Sequence, residues 1–170
     1  MCGWGARKTY EDDVELGNRY EEEMLPVVRE HFDDETIFRT KDRYHISDYI
    51  GAGGVSYELK TRECLSTFYL IQQEGVMIDF RKAVINDWLL FNFCDGLWKY
   101  KTVIEDLKTF PTQMLQRKDR ACGHKDVLKK MVFIPFDRLE LIKMHAFPRP
   151  VGEIVNELPK GKCLIRLDSM

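Results

Sequence analysis

The chain begins with a long stretch of helical periodicity. Between residues 10 and 32 the apolar side chains recur at intervals of three and four, which places them on one face of a helix. These apolar positions are Val14, Leu16, Met24, Leu25, Val27, Val28 and Phe32. Thr9 followed by Asp12 resembles a capping box, and Gly17 leaves the apolar face open to close approach by another element. The pattern predicts an amphipathic helix over 10–32.

One acidic residue of this helix, Glu21, falls inside the apolar face, whereas most of the others lie outside it. A carboxylate that faces the core must be hydrogen-bonded, paired or bound to a metal, because a lone buried carboxylate costs several kcal/mol. Glu21 is therefore the residue of this helix that we expect to have a function. Two alternatives stay open: the helix is shorter than drawn, or Glu21 pairs with a basic side chain in the core.

Three short segments after the helix have the character of strands. Residues 35–40 are rich in β-branched and aromatic side chains, and 44–50 forms a second extended segment. Residues 55–60 alternate between apolar and polar side chains, as a half-buried strand does. The glycine-rich residues 51–54 join the last two of these segments. The pattern predicts a β-hairpin.

The second half of the chain predicts a mixture of helices and strands. Asp95-Gly96 favours the positive φ angles of a tight turn, so the segments beside it form the clearest hairpin. The segment 67–86 is ambiguous, because residues 68–71 suit either a strand or the start of a helix and Gly75 can break either; a helix is favoured. The other predicted elements are strands over 88–93 and 97–103, a helix near 104–117, a basic loop, a strand over 130–135 and a helix or turn over 136–144. This order predicts an α/β (α+β) fold with a mixed central β-sheet flanked by helices.

Length and composition indicate one globular domain. The 170 residues are 44% hydrophobic and 32% charged, and they contain no repeat or low-complexity linker. We expect a single domain over 1–170, with a core over about 10–145 and a C-terminal extension over 146–170. No apolar run approaches the length that a membrane span needs, and the first residues do not resemble a secretory signal. Five scattered cysteines without a Cys-x-x-Cys pair favour an intracellular location, in the cytoplasm or nucleus.

The charges are distributed unevenly along the chain. The net charge of −2 alone does not suggest a nucleic-acid-binding protein. Residues 1–60, however, carry 14 acidic and 8 basic side chains, and within 99–130 there are 9 basic against 4 acidic ones. This layout suits a metal site beside a track for a polyanion. A solvated surface, or a dimer or partner surface over 99–130, is the alternative.

The candidate chemistry lies on the predicted hairpin. Glu58 and Lys60 are two residues apart on one strand, so they project from the same face about 6.5 Å apart. Asp48 lies on the neighbouring strand and is expected to converge on them, with Glu21 added from the helix. Carboxylates gathered in this way are the hard oxygen ligands that Mg²⁺ prefers, and a lysine beside them orients or deprotonates a water molecule. These residue types predict a site for phosphodiester hydrolysis.

An acidic-x-Lys pattern is not specific by itself. The sequence contains it twice, as Glu58-Leu-Lys60 and Asp106-Leu-Lys108, and roughly two matches are expected by chance from this composition. The context separates the two copies. Asp95, upstream of the second copy, belongs to a tight turn, and Asp106 and Lys108 are predicted to lie on different faces of a helix. Only the first copy combines an alternating strand, a preceding strand with an aspartate and a helix with an inward glutamate.

This order of a helix with Glu21, a strand with Asp48 and a strand with Glu58-Leu-Lys60 resembles the PD-(D/E)XK, or restriction-endonuclease-like, nuclease superfamily. The resemblance covers roughly residues 10–103, although Ser47 stands where the motif has proline. It implies that Asp48, Glu58 and Glu21 ligate one or two Mg²⁺ or Mn²⁺ ions and that Lys60 assists the attacking water. The chain also resembles, in style, compact nucleases of viral or phage type.

Further substrate-binding residues follow from the same resemblance. Some members of the superfamily place a glutamine on the helix after the lysine, and Gln72 or Gln73 would take this role. Arg62, two residues beyond Lys60, is expected either to reach a substrate phosphate or to be an ordinary residue at the end of a strand.

Three hypotheses of function follow. The first is a Mg²⁺- or Mn²⁺-dependent endonuclease or exonuclease that hydrolyses nucleic acid, with DNA preferred to RNA; a homodimer would serve double-strand cutting, since one site cuts one strand. The second is a catalytically inactive member of the same fold, used as a nucleic-acid-binding or assembly subunit. The third is an unrelated interaction protein with a chance motif, which predicts that Glu21 lies far from Glu58.

Overall fold

The helix predicted at the start of the chain forms over its full length. In the computed structural model, which describes residues 10–41, 45–62, 66–119 and 125–145, helix α1 spans Tyr10–Phe32. Its inward face centres on the fully buried Val28. The expected cap residue Thr9 lies outside the described residues. Gly17 leaves space on the helix, as the sequence indicates, and apart from its neighbours along the helix no described residue lies within 4 Å of the position that a Cβ would take there.

A short antiparallel unit follows the helix. It consists of β1 (Phe38–Arg39), β2 (Tyr49–Ile50) and β3 (Ser56–Arg62). The first two strands are shorter than predicted, and residues 42–44 lie outside the described part. The hairpin predicted between β2 and β3 is confirmed. Its turn contains Gly53 and Gly54, which have φ angles of 66° and 78°, a left-handed conformation that glycine adopts without steric cost.

The remaining elements build two sheets. They are α2 (Thr67–Gln73), β4 (Gly75–Asp79), α3 (Phe80–Ile85), β5 (Trp88–Phe93), β6 (Gly96–Lys101), α4 (Ile104–Thr109), β7 (Thr112–Asp119), β8 (Lys125–Pro135) and β9 (Glu140–Met144). The larger sheet has the order β1-β2-β3-β5-β6-β9, and the smaller has the order β4-β8-β7. In the larger sheet β3 and β5 are parallel, and every other neighbouring pair is antiparallel. The β5–β6 hairpin predicted around the Asp-Gly turn is confirmed.

The larger sheet is covered on both faces. One face packs on α1 through a cluster that includes Ile37, Tyr49 and Leu90. The other face packs on the small sheet, α3 and α4 through a second cluster, which includes Phe91 and Ile134. The architecture is therefore a mixed sheet flanked by helices, as the order of elements predicts, with an additional small sheet on one side.

The helix favoured over 67–86 is wrong in part, because a strand interrupts it at Gly75, where the sequence left a break open. Strand β4 separates α2 from α3 and pairs with β8. Gly75 begins this strand, and a Cβ at that position would lie 2.1 Å from the carbonyl oxygen of Ile134. Pairing with a strand some 60 residues away in sequence, which local periodicity does not report, determines the structure here.

The helix predicted over 104–117 and the basic loop after it are also wrong in part. Helix α4 ends at Thr109, just before Pro111, and the following residues form β7. Much of the predicted loop belongs to β8, which begins at Lys125 instead of residue 130. The predicted helix or turn over 136–144 is a 3-10 turn at Phe136–Arg138 followed by β9.

The predicted C-terminal extension over 146–170 lies outside the described residues. In the part of the chain that the structure describes, no helix is both long and apolar enough to cross a membrane.

Candidate functional site

Glu58 is a fully buried carboxylate held by two lysines. It lies on β3, with none of its side chain exposed. Its Oε1 atom is 2.8 Å from Nζ of Lys60 and accepts a hydrogen bond from Nζ of Lys82 at 2.6 Å. The other oxygen, Oε2, is buried and has no hydrogen-bond partner among the described residues. A buried acceptor without a partner is costly, so this atom is available to a ligand that enters the site.

Asp48 is placed beside Glu58 by the hairpin. It directly precedes β2, where its backbone N–H donates to the carbonyl oxygen of Tyr57 at 2.9 Å. Its side-chain Oδ2 accepts a hydrogen bond from the backbone N–H of Leu59 at 2.7 Å, which aims the carboxylate at the strand that carries Glu58 and Lys60. Burial, followed by the carboxylates of Glu58 and Glu21, raises the pKa of Asp48 to about 7. The ammonium groups of Lys60 and Lys82 act to lower this pKa, but they do not outweigh burial and the two carboxylates.

The two lysines keep Glu58 ionised in spite of its burial. Burial alone would raise the pKa of Glu58, but the ammonium groups of Lys60 and Lys82 outweigh burial and lower that pKa below its usual value. In the same way, burial acts to lower the pKa of Lys82, and the Glu58 carboxylate reverses the effect and raises it. The site thus contains the ionised carboxylate of Glu58 and, beside it, the carboxyl group of Asp48, which ionises only near neutral pH.

Lys82 is a member of this site that the sequence did not suggest. It lies on α3, within the crossover that links β3 to its parallel neighbour β5. Asp79 caps this helix by accepting a hydrogen bond from the backbone N–H of Arg81. At the other end, the buried Asn86 side chain donates to the carbonyl oxygens of Ile46 and Lys82, at 3.2 and 2.9 Å. These contacts fix α3 against the segment that leads into Asp48.

Glu21 lies near the site but is occupied by a basic partner. Its Oε2 accepts a hydrogen bond of 2.6 Å from Nε of Arg39 on β1, and both side chains are mostly buried. Asn18 and Glu22 bind the same guanidinium. The backbone carbonyl of Glu21 accepts a hydrogen bond from the Tyr49 hydroxyl, which ties α1 to β2. The pairing left open by the sequence is therefore present, while the carboxylate still acts electrostatically on Asp48.

The three predicted substrate-binding residues lie on the elements expected, but none is among the contacts of Glu58. Arg62 ends β3, and its Nη1 donates to the carbonyl oxygen of Thr61 at 3.1 Å. Gln72 and Gln73 end α2 with exposed side chains. The helix residue that contacts Glu58 is instead Lys82 of α3.

Two of the three predicted metal ligands, Asp48 and Glu58, lie beside each other, whereas Glu21 is paired with Arg39. Among the described residues, no three His, Cys, Asp or Glu side chains gather closely enough to form a metal site. Asp48 and Glu58 alone supply carboxylate oxygens at one place, including the unpartnered Oε2. One or two carboxylates with waters and a phosphate are the set that Mg²⁺ commonly uses in proteins. Their mutual repulsion also favours a cation between them.

The second acidic-x-Lys copy forms no such cluster. Asp106 pairs with Arg138 at 2.9 Å, and Lys108 is exposed and pairs with Glu105. Both oxygens of Asp95 accept hydrogen bonds from the backbone N–H of Thr67, so this residue fixes the start of α2. The two copies therefore differ in burial and in partners, as their sequence context predicts.

In comparisons with models of known protein families, with curated proteins and with solved structures, no match to this chain is found. The assignment of a function therefore depends on the chemistry of the residues described above.

Proposed function

We propose that this protein is a divalent-metal-dependent nuclease that hydrolyses phosphodiester bonds of nucleic acids. The observation that carries the proposal is the Glu58 carboxylate. It is fully buried and held by Lys60 and Lys82 through one oxygen, and its other oxygen has no hydrogen-bond partner in the described part of the chain. A side chain of this kind is expensive to maintain unless it binds something. Asp48, whose pKa is raised to about 7, stands beside it.

The order of the elements supports the same proposal. Glu21 lies on the first helix, Asp48 at the start of one strand, and Glu58 and Lys60 on the next, which is parallel to β5 across a crossover. This is the order on which the resemblance to PD-(D/E)XK nucleases rests. We therefore also propose that the described residues contain a restriction-endonuclease-like core.

Asp48 and Glu58 would hold the metal, which we propose to be Mg²⁺ or Mn²⁺. When bound, such an ion polarises a phosphate oxygen and lowers the pKa of a water molecule. Asp48 would be held ionised when such an ion is bound, because the positive charge would offset both its burial and the neighbouring carboxylates. Glu21 is a weaker candidate as a ligand, since Arg39 already occupies one of its oxygens.

The lysines perform the remaining chemistry. Lys60 and Lys82 both contact Oε1 of Glu58, and each lysine side chain is partly exposed. Each therefore has hydrogens left to donate to a phosphate oxygen or to the attacking water. As the water oxygen bonds to phosphorus and gives up a proton to solvent, the bond from phosphorus to a sugar oxygen breaks and that oxygen takes a proton from solvent. Negative charge grows on the phosphate oxygens during this step, and an ammonium already fixed in place stabilises the charge without reorganising. The same residues orient the water by hydrogen bonding.

The alternative is a catalytically inactive subunit of the same fold that binds nucleic acid or assembles with partners. The observation that favours it is the Arg39–Glu21 pair, which removes one of the expected metal ligands. The two candidates make different predictions about substrate turnover and the same prediction about binding.

A cleavage panel separates them. Single- and double-stranded DNA and RNA would be incubated with the protein in Mg²⁺, Mn²⁺ or EDTA, together with the Glu58→Gln variant. The nuclease proposal predicts cutting that needs the metal and is lost in Glu58→Gln. Binding without cutting by the wild type would favour the inactive subunit, and neither binding nor cutting would contradict both.

A further inference from the structure

A two-stranded ribbon extends beyond the small sheet. Strand β8 pairs with β4 only through residues 131–135, whereas it pairs with β7 from residue 125 onward. Residues 114–119 and 125–130, which form six successive cross-strand pairs, therefore have no third strand beside them in the described structure. We call this ribbon the arm. At about 3.3 Å per residue, it is about 20 Å long.

The arm is basic and carries exposed apolar side chains. Its basic residues are Arg117, Lys118, Lys125, Lys129 and Lys130, against the acidic Asp119 and Asp126. It is therefore positive in a chain whose net charge is −2. Leu128 is 70% exposed and Met114 56%. A ribbon with this charge is suited to a polyanion, and its apolar side chains are suited to base edges and methyl groups.

The base of the arm is attached to the helix that serves the candidate site. Nζ of Lys130 lies 4.1 Å from the ring centroid of Phe80, the first residue of α3. Nζ of Lys129 lies 4.0 Å from Oδ2 of Asp79, the cap of the same helix. Two residues beyond Phe80, Lys82 binds Glu58. The arm and the candidate site are thus joined through one short helix.

One face of the arm continues the buried face of the small sheet. Val132 and Ile134 of β8 are fully buried in the cluster against the large sheet. Because side chains alternate along a strand, Leu128 and Lys130 continue this face outward. The face of the arm that carries Leu128 and Lys130 therefore lies on the same side of the small sheet as α3.

We propose that the arm enters the major groove of double-stranded DNA while the candidate site contacts the backbone. This inference rests on the proposed function and adds B-form duplex DNA as its substrate class. The major groove of B-DNA, about 12 Å wide and 8.5 Å deep, admits a two-stranded ribbon, and the arm is long enough to reach its floor. The deep, narrow major groove of A-form RNA does not admit one.

Binding in EDTA tests the arm without requiring cleavage. Fluorescence anisotropy would be measured with a labelled DNA duplex, the matching RNA duplex and the single DNA strand. The test variant is Arg117→Ala/Lys118→Ala/Lys125→Ala. The control variant, Lys101→Ala/Lys108→Ala/Lys143→Ala, removes the same charge from elsewhere on the surface. Thermal melting checks that both variants fold.

We expect the arm variant to bind the DNA duplex at least 10-fold more weakly at about 100 mM salt, and the control to bind within about 3-fold of the wild type. Raising the salt from about 50 to about 200 mM weakens DNA binding by both proteins. The fold-loss of affinity should be about 40 times smaller for the arm variant than for the wild type, because three phosphate contacts are missing. The RNA duplex and the single strand should bind more weakly than the DNA duplex.

Other results overturn the inference. Equal losses in both variants, equal affinity for the RNA duplex, or no binding of the DNA duplex by the wild type would each do so. An arm variant that alters only the sedimentation of the protein would instead identify the arm as a protein-contact surface. Metal-dependent cleavage of another nucleic acid, measured alongside, would then show that the nuclease proposal stands while the arm proposal fails.

Discussion

Nζ of Lys82 donates a hydrogen bond of 2.6 Å to Oε1 of Glu58, whose side chain is completely buried. This bond joins the crossover helix to the central strand at the candidate site. Lys60 approaches the same oxygen from the strand itself. Two ammonium groups thus keep the carboxylate charged, while its second oxygen is buried and meets no hydrogen-bond partner within the residues that the structure describes.

Removing the Lys82 charge should lower both stability and activity. We expect Lys82→Met to reduce the free energy of unfolding by about 1–3 kcal/mol, because one of two partners of a buried carboxylate is lost while Lys60 remains. The acidic limb of the pH–rate profile should move to higher pH, since the pKa of Glu58 rises. Chemical denaturation and rate measurements across pH check this.

Two control variants accompany the measurement. Lys82→Arg should recover much of the loss, and Lys108→Met, at an exposed pair, should cost less than about 0.5 kcal/mol. A Lys82→Met variant as stable as the wild type, with an unchanged profile, would argue against this role.

The stability of the metal-free protein should depend on the ionisation of Asp48. The pKa of an ordinary aspartate, as in the unfolded chain, is 3.8, and the pKa of Asp48 in the folded protein is about 7. The folded protein therefore binds this proton more tightly. A raised carboxyl pKa contributes stability below pH 4, and this contribution is lost as the pH rises towards 7. Asp48→Asn removes the dependence and keeps an oxygen for the N–H of Leu59.

In EDTA we therefore expect Asp48→Asn to gain stability over the wild type as the pH rises from about 5 to about 8, by about 2–3 kcal/mol. Taking the difference between the two proteins removes the contributions of the histidines. Thermal melting at several pH values measures it, and Mg²⁺ should reduce the difference at high pH. A difference that does not vary with pH would contradict the environment assigned to Asp48.

Glu21 should matter less to the metal than Glu58 does. Its carboxylate is paired with Arg39, so we expect Glu21→Gln to lower metal-dependent activity about 10-fold at most. Glu58→Gln should abolish that activity. A double-mutant cycle with Arg39→Met should give a coupling free energy of about 0.5–2 kcal/mol for the pair. A loss of activity in Glu21→Gln as large as in Glu58→Gln, together with zero coupling to Arg39, would contradict this expectation. Glu21 would then be a metal ligand that breaks its pair with Arg39 when the metal binds.

Two glycines should respond oppositely to alanine. A Cβ on Gly75 would meet the carbonyl oxygen of Ile134 at 2.1 Å, so Gly75→Ala must displace β4 from β8. We expect it to destabilise the protein by about 3 kcal/mol. Gly17 has open space around it within α1, so Gly17→Ala should stabilise by up to about 1 kcal/mol. Denaturant titration of both variants tests the pairing of β4 with β8, and a neutral Gly75→Ala would contradict it.

The sequence was sufficient where local patterns decide the structure. Helix α1, the β2–β3 hairpin and the β5–β6 hairpin follow from periodicity and glycine turns over neighbouring residues. The juxtaposition of Asp48 with Glu58 and Lys60 follows from the same hairpin, because adjacent strands bring their side chains together.

The sequence was insufficient where distant segments decide the structure. Strands β4 and β7 carry local patterns that suit helices, and pairing with β8 makes them strands. Lys82 was missed for this reason, since its approach to Glu58 depends on where α3 begins after β4. The Arg39–Glu21 pair likewise joins β1 to a helix 18 residues away, and the sequence offered it only as an alternative.

The most direct test of the nuclease proposal compares the two acidic-x-Lys copies by one rate measurement. Metal-dependent cleavage of the best substrate would be timed for Lys60→Met and for Lys108→Met, which make the same change in a buried cluster and in an exposed pair. We expect Lys60→Met to lower the rate at least about 100-fold, the usual contribution of a positioned acid–base or charge-stabilising group, and Lys108→Met to leave it unchanged. Equal rates for the two variants would contradict the assignment of the site to Glu58 and Lys60.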